Sequence, residues 1–212
     1  MPATAKICGL STPETLQAAL GGGASHVGFI FFPPSPRHVS FDTAAALGTR
    51  VPAHVGKVGV FVDPDDALLD AAIAAAGLNV LQLHKTTPER AAQIRQRTGQ
   101  EVWAAVAIKT RADLDTARTF RDAADRILYD AKTPEKATLP GGMGVRFDWA
   151  LLDGFRHPLP WALSGGLDTS NVGEAIARTG ARLVDVSSGV ETGPGVKDRT
   201  KIVAFLKAVA QA

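Results

Sequence analysis

The sequence contains one cysteine, Cys8, among its 212 residues. A single cysteine cannot form a disulfide within the chain, and the first six residues lack the charged and then apolar regions of a secretory signal peptide. Both features indicate a reducing environment. We therefore expect the protein to be cytoplasmic.

Long apolar runs and an excess of charge are absent as well. An apolar stretch such as residues 71–78 is far shorter than the roughly 20 residues that a membrane-spanning helix needs. The chain has 23 Lys and Arg against 21 Asp and Glu, a formal net charge of +2, and no basic cluster that could follow a phosphate backbone. Neither a membrane nor a nucleic acid is expected as a partner.

What the sequence does contain is a regular alternation of strand-like and helix-like segments. Helical segments begin at capping signals such as Ser11-Thr12-Pro13-Glu14, and several end at a glycine, as at Gly77 and Gly180. Between them lie eight short runs of apolar and β-branched residues, which we predict to be strands: residues 6–9, 26–32, 55–62, 80–84, 101–108, 126–130, 161–164 and 183–187.

The spacing of these strands indicates a parallel sheet. Successive strands begin roughly 20 to 35 residues apart, which leaves room for the crossover that parallel strands need. Eight repeats without a low-complexity linker favour an α/β fold with one closed (β/α)₈ barrel, a TIM barrel, over residues 1–212. A doubly wound open sheet is the alternative, although the sequence lacks the Gly-x-Gly-x-x-Gly fingerprint of dinucleotide-binding sheets.

In such a barrel the chemistry lies at the carboxyl ends of the strands. Cys8 ends the first predicted strand, and Lys6 lies two positions earlier on the same strand face. Because a nearby ammonium favours the thiolate, we expect the pKa of Cys8 to be lowered. Asp130 ends the sixth strand, where a buried carboxyl is costly without a partner or a task. The alternatives are a buried, inert cysteine and a structural carboxylate.

Two small-residue segments follow the last two strands. Ser164-Gly165-Gly166-Leu167-Asp168 comes after the seventh strand, and Ser187-Ser188-Gly189-Val190-Glu191 comes after the eighth. Loops of this kind let backbone N–H groups approach an anion, and these two positions are the recurrent phosphate site of such barrels. The sequence therefore predicts a phosphate site, with two ligand-free tight turns as the alternative.

Arg37 follows a proline-rich segment in the loop after the second strand. Held by that loop, its guanidinium could bind a carboxylate through two parallel hydrogen bonds, although a solvated surface arginine is the alternative. Asp185 lies within the eighth strand, from which it could point into the barrel mouth or pair with a core group. The histidines show no metal-ligand spacing with Cys8 or the carboxylates, so we expect no metal. His84 ends the fourth strand, and we interpret it as a structural or rim histidine rather than a catalyst.

Several of these segments together resemble one family, that of phosphoribosylanthranilate isomerase. The resemblance spans nearly the whole chain, and it rests on Lys6-Ile7-Cys8-Gly9-Leu10, Phe32-Pro33-Pro34-Ser35-Pro36-Arg37, Gln82-Leu83-His84, Gly141-Gly142-Met143-Gly144 with Phe147-Asp148-Trp149, Leu163-Ser164-Gly165-Gly166-Leu167, and Asp185-Val186-Ser187-Ser188-Gly189-Val190-Glu191 with Pro194-Gly195-Val196-Lys197-Asp198. The sequence departs from the family after the fourth strand, where Lys85-Thr86-Thr87 follows His84 in place of a glycine.

The resemblance implies an enzyme of tryptophan biosynthesis that acts without a cofactor. It would convert N-(5′-phosphoribosyl)anthranilate to 1-(2-carboxyphenylamino)-1-deoxyribulose 5-phosphate by an Amadori rearrangement, as a monomer or a homodimer. Asp130 is implied to be the general acid and Cys8 the general base. Substrate contacts are implied for Lys6, Arg37 and Asp185, with Arg37 on the anthranilate carboxylate. The phosphate cradle is implied to comprise Gly165, Gly166, Ser188 and Gly189.

Two other functions are compatible with the pattern. Another sugar-phosphate barrel enzyme, such as an epimerase or a lyase, would share the phosphate loops but would use metal ligands or a strand-end lysine, for which Lys6 is the candidate. A non-catalytic module that binds a phosphorylated ligand would tolerate the loss of Cys8.

Overall fold

A computed structural model describes residues 2–132 and 144–212 of the chain. Its eight parallel strands form a closed barrel in sequence order, in which the first strand pairs with the eighth. This pairing confirms the predicted (β/α)₈ barrel and excludes the open sheet. The strands are β1 (Thr4–Cys8), β2 (His26–Ile30), β3 (Gly56–Val62), β4 (Val80–His84), β5 (Glu101–Ile108), β6 (Arg126–Ala131), β7 (Trp161–Leu163) and β8 (Leu183–Val186).

Helices connect the strands on the outside of the barrel. They are α1 (Pro13–Gly21), α2 (Phe41–Gly48), α3 (Asp66–Ala76), α4 (Pro88–Thr98), α5 (Asp115–Thr119), α6 (Val172–Thr179) and α7 (Arg199–Ala210). Short 3₁₀ helices lie at Arg111–Leu114, Trp149–Leu152 and Ser188–Val190. The hairpin that precedes α7 pairs β9 (Glu191–Gly193) with β10 (Val196–Lys197).

The helix boundaries follow from local capping chemistry. The side chain of Asp65 accepts a hydrogen bond from the backbone N–H of Leu68 at 2.8 Å, which satisfies a donor in the first turn of α3. Gly77 and Gly180 end α3 and α6 in the left-handed conformation, with φ of 60° and 71°. A glycine adopts this conformation at no steric cost, so each helix stops where the next strand must begin.

Successive side chains of each strand point to opposite faces of the barrel wall, so the apolar residues form two cores. Outward-facing side chains such as Ile7 and Leu81 pack in the large core that includes the helices. Inward-facing side chains fill the barrel itself, where Trp103 is fully buried and its Nε1 donates to Glu101 Oε1 at 2.6 Å. Cys8 belongs to this inner group. The barrel interior is therefore a packed support beneath the carboxyl ends of the strands.

Within residues 2–132 and 144–212, no helix has the length and apolar character needed to cross a membrane.

Candidate active site

The carboxyl ends of the strands surround one pocket of about 810 Å³, part of which is open to solvent. Seven of the nine residues predicted to form the site line it: Cys8, Arg37, Asp130, Gly165, Gly166, Asp185 and Ser188. Gly189 and Lys6 do not line the pocket. Barrel closure is what brings these residues together, because β1 lies beside β8 although the two are far apart in the sequence.

Asp130 is a buried carboxyl at the end of β6. Its Oδ1 accepts a hydrogen bond from the backbone N–H of Ala131 at 2.9 Å. Burial, with a smaller contribution from the negative charge of Asp185, raises the pKa of Asp130 to about 7. The hydrogen bond from Ala131 and the ammonium of Lys6 act in the opposite direction but are weaker. Asp130 can therefore hold a proton near neutral pH, as a general acid must.

Cys8 lies in the same pocket, and its thiol is also buried. Burial raises the pKa of Cys8 above its ordinary value, against the ammonium of Lys6, which favours the thiolate. The expectation that Lys6 lowers this pKa below its ordinary value is therefore wrong in its net direction. Desolvation of the thiolate outweighs the attraction of one nearby cation.

Lys6 lies beneath the pocket rather than in its lining. Its side chain is 0% exposed, and its Nζ donates to Gln82 Oε1 at 2.8 Å and to Asp185 Oδ1 at 2.9 Å. The other carboxylate oxygen of Asp185 accepts from Ser164 Oγ at 3.2 Å. Because Lys6 is enclosed, direct contact between its ammonium and a substrate is not favoured. The same enclosure argues against a Schiff base between Lys6 and a substrate, which a lyase would need.

Gln82 and His84 are polar residues of β4 that were not among the predicted site residues. Both line the pocket, and Gln82 Nε2 lies 2.9 Å from His84 Nε2. Burial, helped by the charge of Lys6, lowers the pKa of His84 to about 4, so its ring is neutral at physiological pH. The sequence signals for Gln82 are its place in the Gln82-Leu83-His84 segment of the family resemblance and the presence of an amide after the apolar Val80 and Leu81.

Arg37 is buried rather than solvated, and its partner is Glu191. Arg37 Nε donates to Glu191 Oε1 and Nη2 donates to Oε2, both at 2.7 Å. Lys197 Nζ donates to the same Oε1 at 2.6 Å. Although burial acts to raise the pKa of Glu191, these two cations lower it overall. The ion pairs tie the loop after β2 to the β9–β10 hairpin and fix the guanidinium at the pocket.

The two glycine-rich loops after β7 and β8 adjoin one another at the pocket. Gly165 and Gly166 have φ of 93° and 61°, a conformation that other residues rarely adopt. A Cβ on Gly189 would collide with the carbonyl oxygen of Leu167, so this glycine allows the two loops to touch. Ser188 begins a 3₁₀ helix at the pocket edge. These loops place small, half-buried residues on one side of the pocket.

Gly165 should be far less tolerant of substitution than a glycine that only ends a helix. A Cβ on Gly165 would lie 2.7 Å from the backbone nitrogen of Ala131, whereas a Cβ on Gly180 meets no atom within 4 Å. Both residues have positive φ, which costs an alanine about 1–2 kcal/mol. We expect Gly165→Ala to lower the free energy of unfolding by a further 1–3 kcal/mol, roughly the cost of overpacking. Urea denaturation of Gly165→Ala beside Gly180→Ala measures this difference, and equal losses would contradict the packing given for Gly165.

Part of one motif cannot be placed, because Gly141, Gly142 and Met143 lie outside the described residues. Gly144, which follows them, lines the pocket. In the described ranges no group of three or more His, Cys, Asp or Glu residues is arranged to hold a metal ion.

Comparison with known families identifies the relatives of this barrel. The family model for N-(5′-phosphoribosyl)anthranilate (PRA) isomerase matches residues 5–208. The chain belongs to the PRA isomerase family. A PRA isomerase of Zymomonas mobilis subsp. pomaceae is 54% identical over 211 residues, which cover 99% of each chain. That of Paramagnetospirillum magneticum is 50% identical over 209 residues, covering 98% of this chain and 97% of the relative.

Solved PRA isomerases have the same barrel. The crystal structure of the enzyme from Thermotoga maritima superimposes with a TM-score of 0.88 at 37% identity, covering 99% of this chain and 100% of the other. A PRA isomerase in complex with reduced 1-(o-carboxyphenylamino)-1-deoxyribulose 5-phosphate gives a TM-score of 0.83 at 34% identity, with the same coverage. Another structure is of monomers generated from the dimeric Thermotoga maritima enzyme.

Proposed function

We propose that the protein isomerises N-(5′-phosphoribosyl)anthranilate to 1-(2-carboxyphenylamino)-1-deoxyribulose 5-phosphate in tryptophan biosynthesis, with Asp130 as general acid and Cys8 as general base. The observation that carries the proposal is the presence of both groups in one pocket, beside two adjoining glycine-rich loops. Membership of the PRA isomerase family supports the choice of substrate.

The first step is opening of the ribose ring. Protonated Asp130 donates its proton to the furanose ring oxygen, while the anthranilate nitrogen supplies electrons to C1′ as the bond between C1′ and that oxygen breaks. The product is an open-chain Schiff base with a new hydroxyl group. The pKa of Asp130, about 7, suits this role because a general acid works best near the ambient pH.

The second step is loss of the proton at C2′. The Cys8 thiolate accepts this proton, and the electrons of the C–H bond move toward the iminium nitrogen to give an enolamine. Tautomerisation of the enolamine then yields the ketose. The enzyme is left with a thiol at Cys8 and a carboxylate at Asp130, so one proton must return from Cys8 to Asp130 before the next turnover.

The two ends of the substrate carry negative charge, and we assign each to one part of the pocket. The phosphate fits the loops that contain Gly165, Gly166, Ser188 and Gly189, where N–H groups can donate to its oxygens. The anthranilate carboxylate fits Arg37, whose orientation Glu191 fixes through two hydrogen bonds. On this account residues 1–212 act as one barrel domain that needs no cofactor, and the dimeric Thermotoga maritima relative makes a homodimer a reasonable assembly.

The pKa directions predict which group governs each limb of the pH–rate profile. The pKa of Asp130 is about 7, and that of Cys8 lies above its ordinary thiol value. At a pH between these two pKa values, Asp130 and Cys8 together carry one proton, which lies mainly on Cys8. The active form holds the proton on Asp130, and the ratio of the two forms does not change with pH. We therefore expect kcat/KM to rise as the pH increases through about 7 and to fall only at the higher pKa. A kcat/KM that decreases through this range would contradict the assignment.

The activity is tested by the fluorescence of N-(5′-phosphoribosyl)anthranilate, which disappears as the substrate is consumed. Purified protein should remove the fluorescence and form the carboxyphenylamino ketose, identified by mass and by chromatography against a standard. Protein that leaves the substrate unchanged beyond its spontaneous breakdown would refute the proposed function.

A further inference from the structure

Lys6 is a fully buried ammonium whose hydrogen bonds lie inside the barrel. An ammonium has three N–H donors, and Lys6 directs two of them to Gln82 Oε1 and Asp185 Oδ1. Cys8 lies two residues along β1 on the same face, and the positive charge of Lys6 acts on its sulfur. The surroundings of Lys6 are therefore Gln82, Asp185 and Cys8 rather than the open part of the pocket.

Gly28 on β2 makes the approach of Lys6 to Cys8 possible. Gly28 pairs with Cys8 in the register of β1 and β2. A Cβ on Gly28 would lie 3.1 Å from Cys8 Sγ and 3.1 Å from Lys6 Cε. The sulfur and the end of the lysine stem thus share the space that a side chain at position 28 would occupy, which keeps the two groups within reach of each other.

We propose that Lys6 and Asp185 are positioning residues that set the charge of Cys8, with the Lys6 ammonium as counter-ion of the thiolate and Asp185 as its competitor for that ammonium. The catalytic meaning of this assignment rests on the proposed function, in which Cys8 is the base. It replaces the substrate contact predicted for Lys6 by an action through Cys8.

The charges around Cys8 support this division of roles. After burial, the strongest influence on the pKa of Cys8 is the positive charge of Lys6, which lowers it, and next is the negative charge of Asp185, which raises it. Lys197 on β10 lowers it more weakly. The other titratable or charged side chains that line the same pocket are Arg37, His84 and Asp130. Arg37 is ion-paired with Glu191, and His84 carries no charge at neutral pH.

Asp185 also acts on the proposed acid. Its negative charge raises the pKa of Asp130, and the Lys6 ammonium lowers it. Asp185 therefore raises the pKa of both the proposed acid and the proposed base, and Lys6 lowers both. A paired lysine and aspartate can stay charged in the barrel interior because each compensates the other, whereas removal of one partner leaves an uncompensated charge.

The test uses Cys8 itself, which is the only cysteine of the chain and so the only thiol that iodoacetamide can alkylate. The rate of alkylation is measured by mass spectrometry across a range of pH, without substrate. Asp185→Asn frees the ammonium for the sulfur, so the pH midpoint of alkylation should fall by about one unit or more. Well below the midpoint the rate should rise about threefold, since more thiolate forms but each thiolate is less nucleophilic.

A double variant supplies the opposite change. Lys6→Met with Asp185→Asn removes both charges, keeps side chains of similar size, and leaves no unpaired ion in the barrel. Its midpoint should lie above that of the original protein, because Lys6 has the larger influence of the two. Lys85→Met is the matched control, since it removes an exposed lysine from the same end of the barrel and should leave the midpoint unchanged.

A midpoint that stays within about 0.3 units of the original protein in either folded variant would overturn the proposal. A midpoint that rises in Asp185→Asn, or one that falls in the double variant, would do the same. Either folded variant is sufficient for the decision, and circular dichroism establishes the fold. Because alkylation needs no substrate, these results are independent of the isomerase assay. A protein without isomerase activity would refute the proposed function while the alkylation midpoints still decided how Cys8 is charged.

Discussion

Asp130→Asn is expected to lower kcat by about 10²–10⁴-fold, the usual contribution of a general acid. Asparagine has nearly the shape of aspartic acid and fits the same buried position, but it has no acidic proton to give to the ring oxygen. The pKa of Asp130 is about 7, so its carboxyl is only about half charged near pH 7, and burial disfavours the charged form; we therefore expect the fold to tolerate the neutral asparagine. The fluorescence assay measures the loss, and circular dichroism should show an unchanged barrel.

A matched control for this variant is Asp115→Asn. Asp115 lies at the exposed start of α5, where it pairs with the exposed Arg118, and its substitution should leave kcat unchanged. A kcat for Asp130→Asn within about twofold of the original value would exclude Asp130 as the general acid and would leave its raised pKa without a catalytic purpose.

Cys8→Ser is expected to lower kcat to a similar extent, about 10²–10⁴-fold. A serine hydroxyl holds its proton far more tightly than a thiol, so a serine cannot serve as the base at physiological pH. Serine differs from cysteine only by a smaller oxygen in place of the sulfur, so we expect the surrounding packing to be kept. The thermal midpoint of unfolding should therefore change little while turnover is lost.

The two variants should differ in their response to deuterium at C2′ of the substrate. Loss of the base makes removal of the C2′ proton rate-limiting, so Cys8→Ser should show a larger isotope effect on kcat than the original protein. Loss of the acid makes ring opening rate-limiting, so Asp130→Asn should show a smaller one. Equal isotope effects in the two variants would mean that Asp130 and Cys8 do not act in separate steps.

The barrel and most of its site were predictable because they depend on local patterns. Apolar runs, capping residues and terminal glycines located all eight strands, and the fold carries the ends of those strands to one rim. Cys8, Asp130 and the glycine-rich loops each end or follow a strand. Their presence at one pocket then follows from barrel closure, without any knowledge of side-chain contacts.

The features that escaped prediction depend on contacts between distant parts of the chain. Glu191 lies 154 residues from Arg37, so nothing in either local sequence indicates that they form an ion pair. The direction of the pKa shift of Cys8 depends on how far burial outweighs Lys6, and spacing along one strand reveals only the lysine. Gln82 lies on β4 and Lys6 on β1, so the hydrogen bond between them depends on both strands facing the same barrel interior.

The most direct test of the account is a crystal structure of this protein with reduced 1-(o-carboxyphenylamino)-1-deoxyribulose 5-phosphate, the compound bound in one solved relative. We predict that Cys8 Sγ lies against C2′ of the ligand and that a carboxyl oxygen of Asp130 lies about 3 Å from the oxygen that leaves C1′. The phosphate should contact the loops after β7 and β8. A ligand that occupies the pocket with C2′ remote from Cys8, or with Asp130 out of hydrogen-bonding reach, would contradict the proposed pairing of acid and base.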